Sequence, residues 1–142
     1  MSAILVIARI ILGIYLLSAG SAHFAKLEMM TGYAKYKKLP AAKLGVIVSG
    51  LFLLVGGLTV LLGYYVDLGV LAVAVFLILA ALVFHNFWTI SDATAKQPEQ
   101  INFMKNFGLA AALLIIMVLV SKNASTIDFG WVLSKGHLAL FK

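Results

Sequence analysis

The strongest constraint in this sequence is the recurrence of four apolar stretches, each about as long as a membrane span. They cover residues 3–22, 44–62, 68–88 and 103–120. A helix needs about 20 mostly apolar residues to cross the hydrocarbon core of a bilayer. Because lipid cannot hydrogen-bond to stray backbone groups, each stretch is expected to be helical. The pattern predicts an all-α integral membrane protein, built as a four-helix bundle.

The composition indicates the same class. Hydrophobic residues make up 63% of the chain and charged residues only 11%, whereas soluble domains are about half apolar and about a quarter charged. The formal net charge of +6 is expected to report membrane topology rather than nucleic-acid binding, so no nucleic-acid partner is predicted. The chain contains no cysteine, which excludes disulfides, thiolate nucleophiles and Cys-ligated clusters within it.

The connections between the stretches differ in character. Residues 63–67 are short enough to form a tight antiparallel hairpin. The first loop, residues 23–43, mixes apolar and basic side chains and predicts an interfacial amphipathic helix that ends near Pro40. The polar segment 89–101, "TISDATAKQPEQI", is expected to be a solvated connector. The tail, residues 121–142, is too interrupted to span and is expected to lie on the surface of a single domain, residues 1–142.

The distribution of lysines predicts the orientation. The first loop and the third connection, which share one side of a four-span protein, carry Lys26, Lys35, Lys37, Lys38, Lys43, Lys96 and Lys105. Because basic residues favour the cytoplasmic side, these two loops are expected in the cytoplasm and both termini outside. We expect a bacterial-type cytoplasmic (inner) membrane.

Arg9 is a charge inside the first apolar stretch, where insertion costs about 2.5–3.5 kcal/mol. Its side chain either extends to the nearby interface or pairs within the membrane, and Asp67 on the same side is the candidate partner. Glycines share the stripe of Arg9 at near-heptad spacing, so this stripe is expected to face another helix. A second pair of small residues, Gly45 and Ser49, lies four residues apart and predicts a tight helix contact within the bundle or across a homodimer. The predicted packing positions are Gly13, Gly20, Gly45 and Ser49.

A second group of polar residues collects at the opposite membrane face. Antiparallel threading brings the ends of the first and third stretches and the start of the fourth to one depth. Each residue alone is ordinary at a helix end, and Trp is typical of the interfacial belt. Their convergence makes a ligand-binding site an equally good interpretation. The candidates are His23, His85, Asn86, Trp88, Lys105 and Asn106.

Three kinds of ligand could bind at this face. His23 and His85 could ligate haem between helices, or copper together with Met29 and Met30. Haem is disfavoured because both histidines lie at helix ends, and the copper pattern is weak, so no metal site is predicted. A hydrogen-bonding pocket for a quinone head group is the more natural choice, with imidazole, amide and ammonium groups beside an aromatic wall.

Three segments resemble DoxX-type membrane proteins. They are "RIILGIYLLSAGSAHF" at residues 9–24, "HNFW" at 85–88 and "NFMKNFGLAAALL" at 102–114. The resemblance covers residues 9–120 and implies a four-helix membrane bundle with a long first loop. At position 23 the family often has Lys where this chain has His. Some relatives are assigned as subunits of a thiosulfate:quinone oxidoreductase. The resemblance implies importance, without a defined role, for Arg9, Gly13, Gly20, His85, Trp88, Lys105 and Asn106.

Together these observations favour a redox-associated membrane subunit that contacts a quinone or a similar lipid-soluble molecule. A protein partner would then supply the redox centres, because no motif for a flavin or haem is present. The alternative is a non-catalytic scaffold or assembly partner for another membrane or peripheral protein. A transporter would be indicated by inverted repeats or broken helices, and neither is visible. Whether the chain is an enzyme and whether it forms a homo-oligomer stay open.

Overall fold

The computed structural model describes residues 3–123, with side chains up to residue 121. It contains five α-helices and one 3-10 turn: α1 Ala3–Ala25, α2 Leu27–Tyr36, α3 Ala42–Leu62, α4 Val66–Phe84, the turn Phe87–Thr89, and α5 Ala93–Asn123. Four of these helices, α1, α3, α4 and α5, are long and apolar enough to cross a membrane. The prediction of an all-α, four-helix membrane bundle is confirmed. The surface-lying tail was predicted for a segment that, beyond Asn123, lies outside the described residues.

The predicted amphipathic helix in the first loop is α2. It lies against α3, where Ala34 is fully buried beside Ala42 and Val46. Phe84, at the end of α4, packs on the same small cluster. The chain then turns back into α3 through Lys38, which has a φ of 59°. This helix therefore covers one end of the bundle, which we call the α2 end.

The opposite end, which we call the hairpin end, is closed by the short connection between α3 and α4. Gly63 has a φ of 67° and ends α3 in the left-handed conformation, which glycine adopts without steric cost. The Tyr64 N–H donates to the Thr59 carbonyl at 3.0 Å. The predicted tight hairpin is confirmed.

The start of α5 differs from the expectation drawn from hydropathy. The helix begins at Ala93, because the Asp92 carboxylate accepts the Ala95 N–H at 2.7 Å and caps the first turn. Pro98 lies inside the helix. Most of the segment expected to be a plain connector is therefore helical, and it extends α5 beyond the apolar stretch on the α2 side.

Helices α1 and α3 approach each other closely along a line of glycines. A Cβ added to Gly13 would lie 2.9 Å from Leu61 Cβ, and one added to Gly20 would lie 2.9 Å from the Leu54 nitrogen. Close backbone approach of this kind is a common way for membrane helices to associate. The apolar core continues between the helices around Leu16, Val70, Leu113 and neighbouring side chains.

Candidate functional site

A partly open cavity of about 550 Å³ lies at the α2 end, and residues from all five helices line it. On α1 the lining extends from His23 to Tyr15. On α4 it extends from Phe76 to the end of the helix and includes the next residue, His85. At a rise of 1.5 Å per residue these segments are about 12–14 Å long. That length approaches the thickness of one hydrocarbon leaflet, which is about 15 Å.

The wall of the cavity is apolar over most of its depth and opens towards the lipid side. Val48 and Phe52 on α3 and Leu79 on α4 line the cavity and are also exposed on the outside of the bundle. In a membrane, exposed apolar side chains at this depth face lipid tails. A lipid-soluble molecule could therefore enter sideways from the bilayer, without crossing water.

The rim of the cavity carries a cluster of polar side chains around Glu99, which we call the Glu99 cluster. The His85 Nδ1 lies 2.7 Å from Glu99 Oε2, and the Lys37 ammonium lies 4.0 Å from Oε1. Lys37 also donates a long hydrogen bond of 3.4 Å to Asn86 Oδ1. Tyr33 completes the cluster, because its hydroxyl lies close enough to Glu99 for the negative charge of that carboxylate to act on it. Three separate parts of the chain, namely the end of α2, the end of α4 and the early turns of α5, are thus joined through one carboxylate.

Tyr33 is held in its neutral, hydrogen-donating form. Burial raises the pKa of its hydroxyl above the ordinary value, and the negative charge of Glu99 raises the pKa further. The ring stacks against Phe84 at a centroid distance of 5.8 Å, and the Lys37 ammonium lies 5.7 Å from its centre. Since Tyr33 also lines the cavity, it joins the apolar wall to the Glu99 cluster.

His23 reaches the cavity from α1. Its Nδ1 donates to the Ala19 carbonyl one turn earlier, at 2.9 Å, since a carbonyl oxygen can only accept. The edge of its ring meets Phe76 at a centroid distance of 6.0 Å. The hydrogen bond and the ring contact together fix the orientation of the imidazole.

The structure places the predicted site residues in two groups. His23, His85 and Asn106 line the cavity, and Asn86 lies just beside it in contact with Lys37. Trp88 and Lys105 lie outside the lining. The Trp88 side chain is exposed and makes an edge contact with Phe103 at 5.6 Å, and Lys105 is exposed on α5. A ligand-binding role for the whole set stays a prediction.

Three residues of the site had not been singled out from the sequence: Tyr33, Lys37 and Glu99. Lys37 was counted only as a topology signal, and Glu99 fell within the expected connector. One sequence signal was available, because the chain contains just two glutamates, Glu28 and Glu99. A carboxylate that is rare in a basic chain is a natural partner for its histidines.

The structure brings together only some of the histidines and methionines considered for copper. Met30 lines the cavity, but Met29 is exposed. Within residues 3–121, no group of three or more His, Asp or Glu side chains comes close enough to hold a metal ion.

Arg9 and Asp67 lie at the hairpin end, away from the cavity. Arg9 is 9% exposed and Asp67 is fully buried. The Asp67 carboxylate accepts the Leu68 N–H at 2.9 Å and the Ser121 hydroxyl at 3.4 Å. Burial of both side chains fits the predicted intramembrane role better than extension of Arg9 into water, and the ion pair between them stays a prediction.

A four-span helical membrane protein with a lipid-accessible, polar-rimmed cavity is the class that this fold and site define. Residues 4–86 match the model of the DoxX family. These 83 residues, counted from 4 to 86 inclusive, are more than half of the 142, and the chain belongs to the DoxX family. No curated protein and no solved structure matches the chain. The match includes His23 and His85 and ends before Glu99, Lys105 and Asn106.

Proposed function

We propose that this DoxX-family protein is the membrane subunit of a redox system and binds a quinone-class molecule in the cavity at its α2 end. The observation that carries the proposal is the cavity itself. It is apolar along its depth, open towards lipid, and supplied with His23, His85 and Asn106 among its lining.

The dimensions of the cavity suit such a ligand. Its volume of about 550 Å³ lies within the range of small-molecule sites, about 300–1,000 Å³. A quinone ring is flat and apolar on its faces and carries oxygen atoms at its edges. The ring would lie near His85, between aromatic walls such as Phe76 and Phe84. Its apolar tail would leave between Val48 and Leu79 into the bilayer.

We assign the source of electrons to a protein partner. A chain without cysteine cannot hold a Cys-ligated cluster or a dithiol relay. The partner would carry a flavin, haem or iron–sulfur centre and would exchange electrons with the ligand bound here. This subunit would supply the binding site and the route from the lipid.

The scaffold alternative relies on faces of small residues that could hold another membrane protein. Gly13 and Gly20 lie within the bundle, against Leu61 and Leu54 of α3. A scaffold function would therefore have to use a different face of small residues, such as the one that carries Gly45 and Ser49.

The proposal also includes an orientation, with the α2 end in the cytoplasm. The exposed basic side chains of the first loop, Lys26, Lys35, Lys38 and Lys43, lie at that end, as the positive-inside rule requires. Because the chain has no native cysteine, single-cysteine labelling reports one position at a time. In intact cells, a membrane-impermeant maleimide should label Tyr64→Cys in the hairpin and spare Ser91→Cys. The opposite pattern would reverse the orientation without affecting the cavity.

The central experiment is to purify the protein in native lipid discs and to analyse the extract by mass spectrometry and visible absorption. We expect a quinone at about one per chain. His85→Ala should lower that occupancy while leaving the helical content unchanged. Lys105→Ala is the matched control, because it removes a nearby polar side chain that lies outside the cavity lining, and it should retain the quinone. Absence of quinone together with a stoichiometric protein partner would favour the scaffold instead.

A further inference from the structure

The ring N–H groups of the two cavity histidines are used within the protein. The His23 Nδ1 hydrogen is committed to the Ala19 carbonyl at 2.9 Å. A neutral imidazole carries one N–H and one bare nitrogen. With Nδ1 protonated, the nitrogen left for a ligand is Nε2, and in the neutral ring Nε2 can only accept.

His85 is arranged in the same way by a different partner. Its Nδ1 lies 2.7 Å from the Glu99 carboxylate, and a carboxylate accepts hydrogen bonds, so Nδ1 carries the proton. Again Nε2 of the neutral ring is left as an acceptor. Glu99 thus determines which side of the His85 ring donates, although Glu99 itself is not part of the cavity lining.

One hydroxyl group of the lining follows the same pattern. The Ser49 hydroxyl donates to the Val46 carbonyl at 2.9 Å, so its oxygen keeps lone pairs but has no hydrogen left to give. The other polar side chains of the lining, which can donate as well as accept, are Tyr15, Tyr33 and Asn106.

We infer that the cavity selects a ligand whose head group donates hydrogen bonds, which for a quinone-class molecule means the reduced, hydroquinone form. This inference rests on the function proposed above and adds the form of the ligand. Each hydroxyl of a hydroquinone can donate to a bare Nε2. The carbonyl oxygens of the oxidised quinone only accept, so they would leave both histidine nitrogens unpaired in an apolar site, which disfavours binding.

The wild-type protein in lipid discs provides the direct test, by equilibrium binding of three tritium-labelled probes under argon. They are a decyl-tailed benzoquinone, its hydroquinone, and the dimethyl ether of that hydroquinone. The ether keeps the ring and the tail but has no hydroxyl hydrogen. We expect the hydroquinone to bind about tenfold more tightly than either of the others, as one or two net hydrogen bonds would give.

Glu99→Gln tests the positioning role of the carboxylate. An amide can either accept from Nδ1 or donate to it, so His85 becomes free to present Nε2 as a donor. The ratio of hydroquinone to quinone affinity should then fall by several fold. A merely structural role for Glu99 would change both affinities together and leave the ratio unchanged. Glu28→Gln is the matched control, because Glu28 is exposed on α2, and it should keep the wild-type ratio.

The outcomes distinguish a failure of this inference from a failure of the proposed function. If the quinone binds as tightly as the hydroquinone, or more tightly, the inference is overturned while the proposed function stands. If none of the three probes binds to a protein whose helical content is intact, both are overturned. Because the comparison of probes uses the wild-type chain, its result does not depend on whether any variant folds.

Discussion

The two ends of the bundle contain charged side chains in opposite circumstances. At the hairpin end, Asp67 is fully buried and Arg9 nearly so, and two hydrogen bonds from Leu68 and Ser121 hold the carboxylate. At the α2 end, Glu99 is partly exposed, with its side chain at 22%, and the His85 side chain beside it is at 20%. One end is packed, and the other borders a cavity.

This difference separates a structural role from a binding role. A charge deep in a low-dielectric interior is costly unless its partners are in place, so removing one partner is expensive. Charges near the surface are screened, and each pair contributes little to stability. The hairpin end is therefore expected to determine whether the bundle folds. The α2 end is expected to determine what the bundle binds.

The largest effect is expected for Asp67→Ala. This change leaves the Ser121 hydroxyl and the Leu68 N–H without their acceptor, and we expect a loss of about 3 kcal/mol in the free energy of unfolding. Loss of helical circular dichroism on heating in detergent would measure it. Asp92→Ala removes an exposed acid that caps α5 and should cost only about 1 kcal/mol. Equal losses for the two variants would contradict the contrast between the ends.

The second test adds a methyl group to one glycine at each end. Gly13→Ala places a Cβ 2.9 Å from Leu61 Cβ and 3.1 Å from its Cα, so α1 must move away from α3, at a cost of about 1–3 kcal/mol. Gly32→Ala on α2 meets nothing within 4 Å and should be neutral or stabilising by up to about 1 kcal/mol. Thermal unfolding of the two variants side by side compares them. A stable Gly13→Ala variant would show that α1 and α3 tolerate separation.

A smaller effect on stability is expected for Lys37→Ala. Its ammonium lies 4.0 Å from Glu99, and its side chain is 13% exposed. A partly screened pair of this kind contributes about 0–1 kcal/mol, so the melting temperature should fall by a few degrees at most. The loss should shrink at high salt. A loss as large as that of Asp67→Ala would mean that the α2 end is also structural.

The smallest effect is a pH dependence that arises from Tyr33. Because the pKa of its hydroxyl is raised in the folded state, the folded protein retains this proton longer than the unfolded chain does. The associated stability is present below the ordinary tyrosine pKa of about 10 and is lost as the pH rises through the folded value. Tyr33→Phe should remove that part of the decline, as measured by melting between pH 8 and 11. Tyr64→Phe, at an exposed tyrosine of the hairpin end, should leave it unchanged.

The sequence predicted much of this architecture, because hydropathy indicates how deep each segment lies in the bilayer. Spans of about 20 apolar residues place four helices across a bilayer, and their antiparallel order puts His23, His85 and Asn106 at one level. The mixed composition of the first loop indicated α2, and the short segment 63–67 indicated the hairpin. The resemblance to the DoxX family was also visible in residues 9–24, which the family match includes.

Hydropathy does not report rotation about a helix axis, and that limit explains why some predicted residues fall outside the cavity lining. Trp88 and Lys105 lie near the predicted level but outside the cavity lining, whereas Asn106, the next residue along α5, contributes to it. The Glu99 cluster needs two further conditions, namely the start of α5 at its Asp92 cap and the return of α2 across the end of α4.

The sequence by itself determined that this protein lies in a lipid bilayer, how many times it spans the bilayer, and at which depth its polar residues lie. Each of these follows from local composition. Only the tertiary structure decided that Glu99 joins His85, Lys37 and Tyr33, and that the space beside them stays open. Contacts between distant segments depend on how helices rotate and pack against one another. That information belongs to the assembled bundle rather than to any one stretch of the chain.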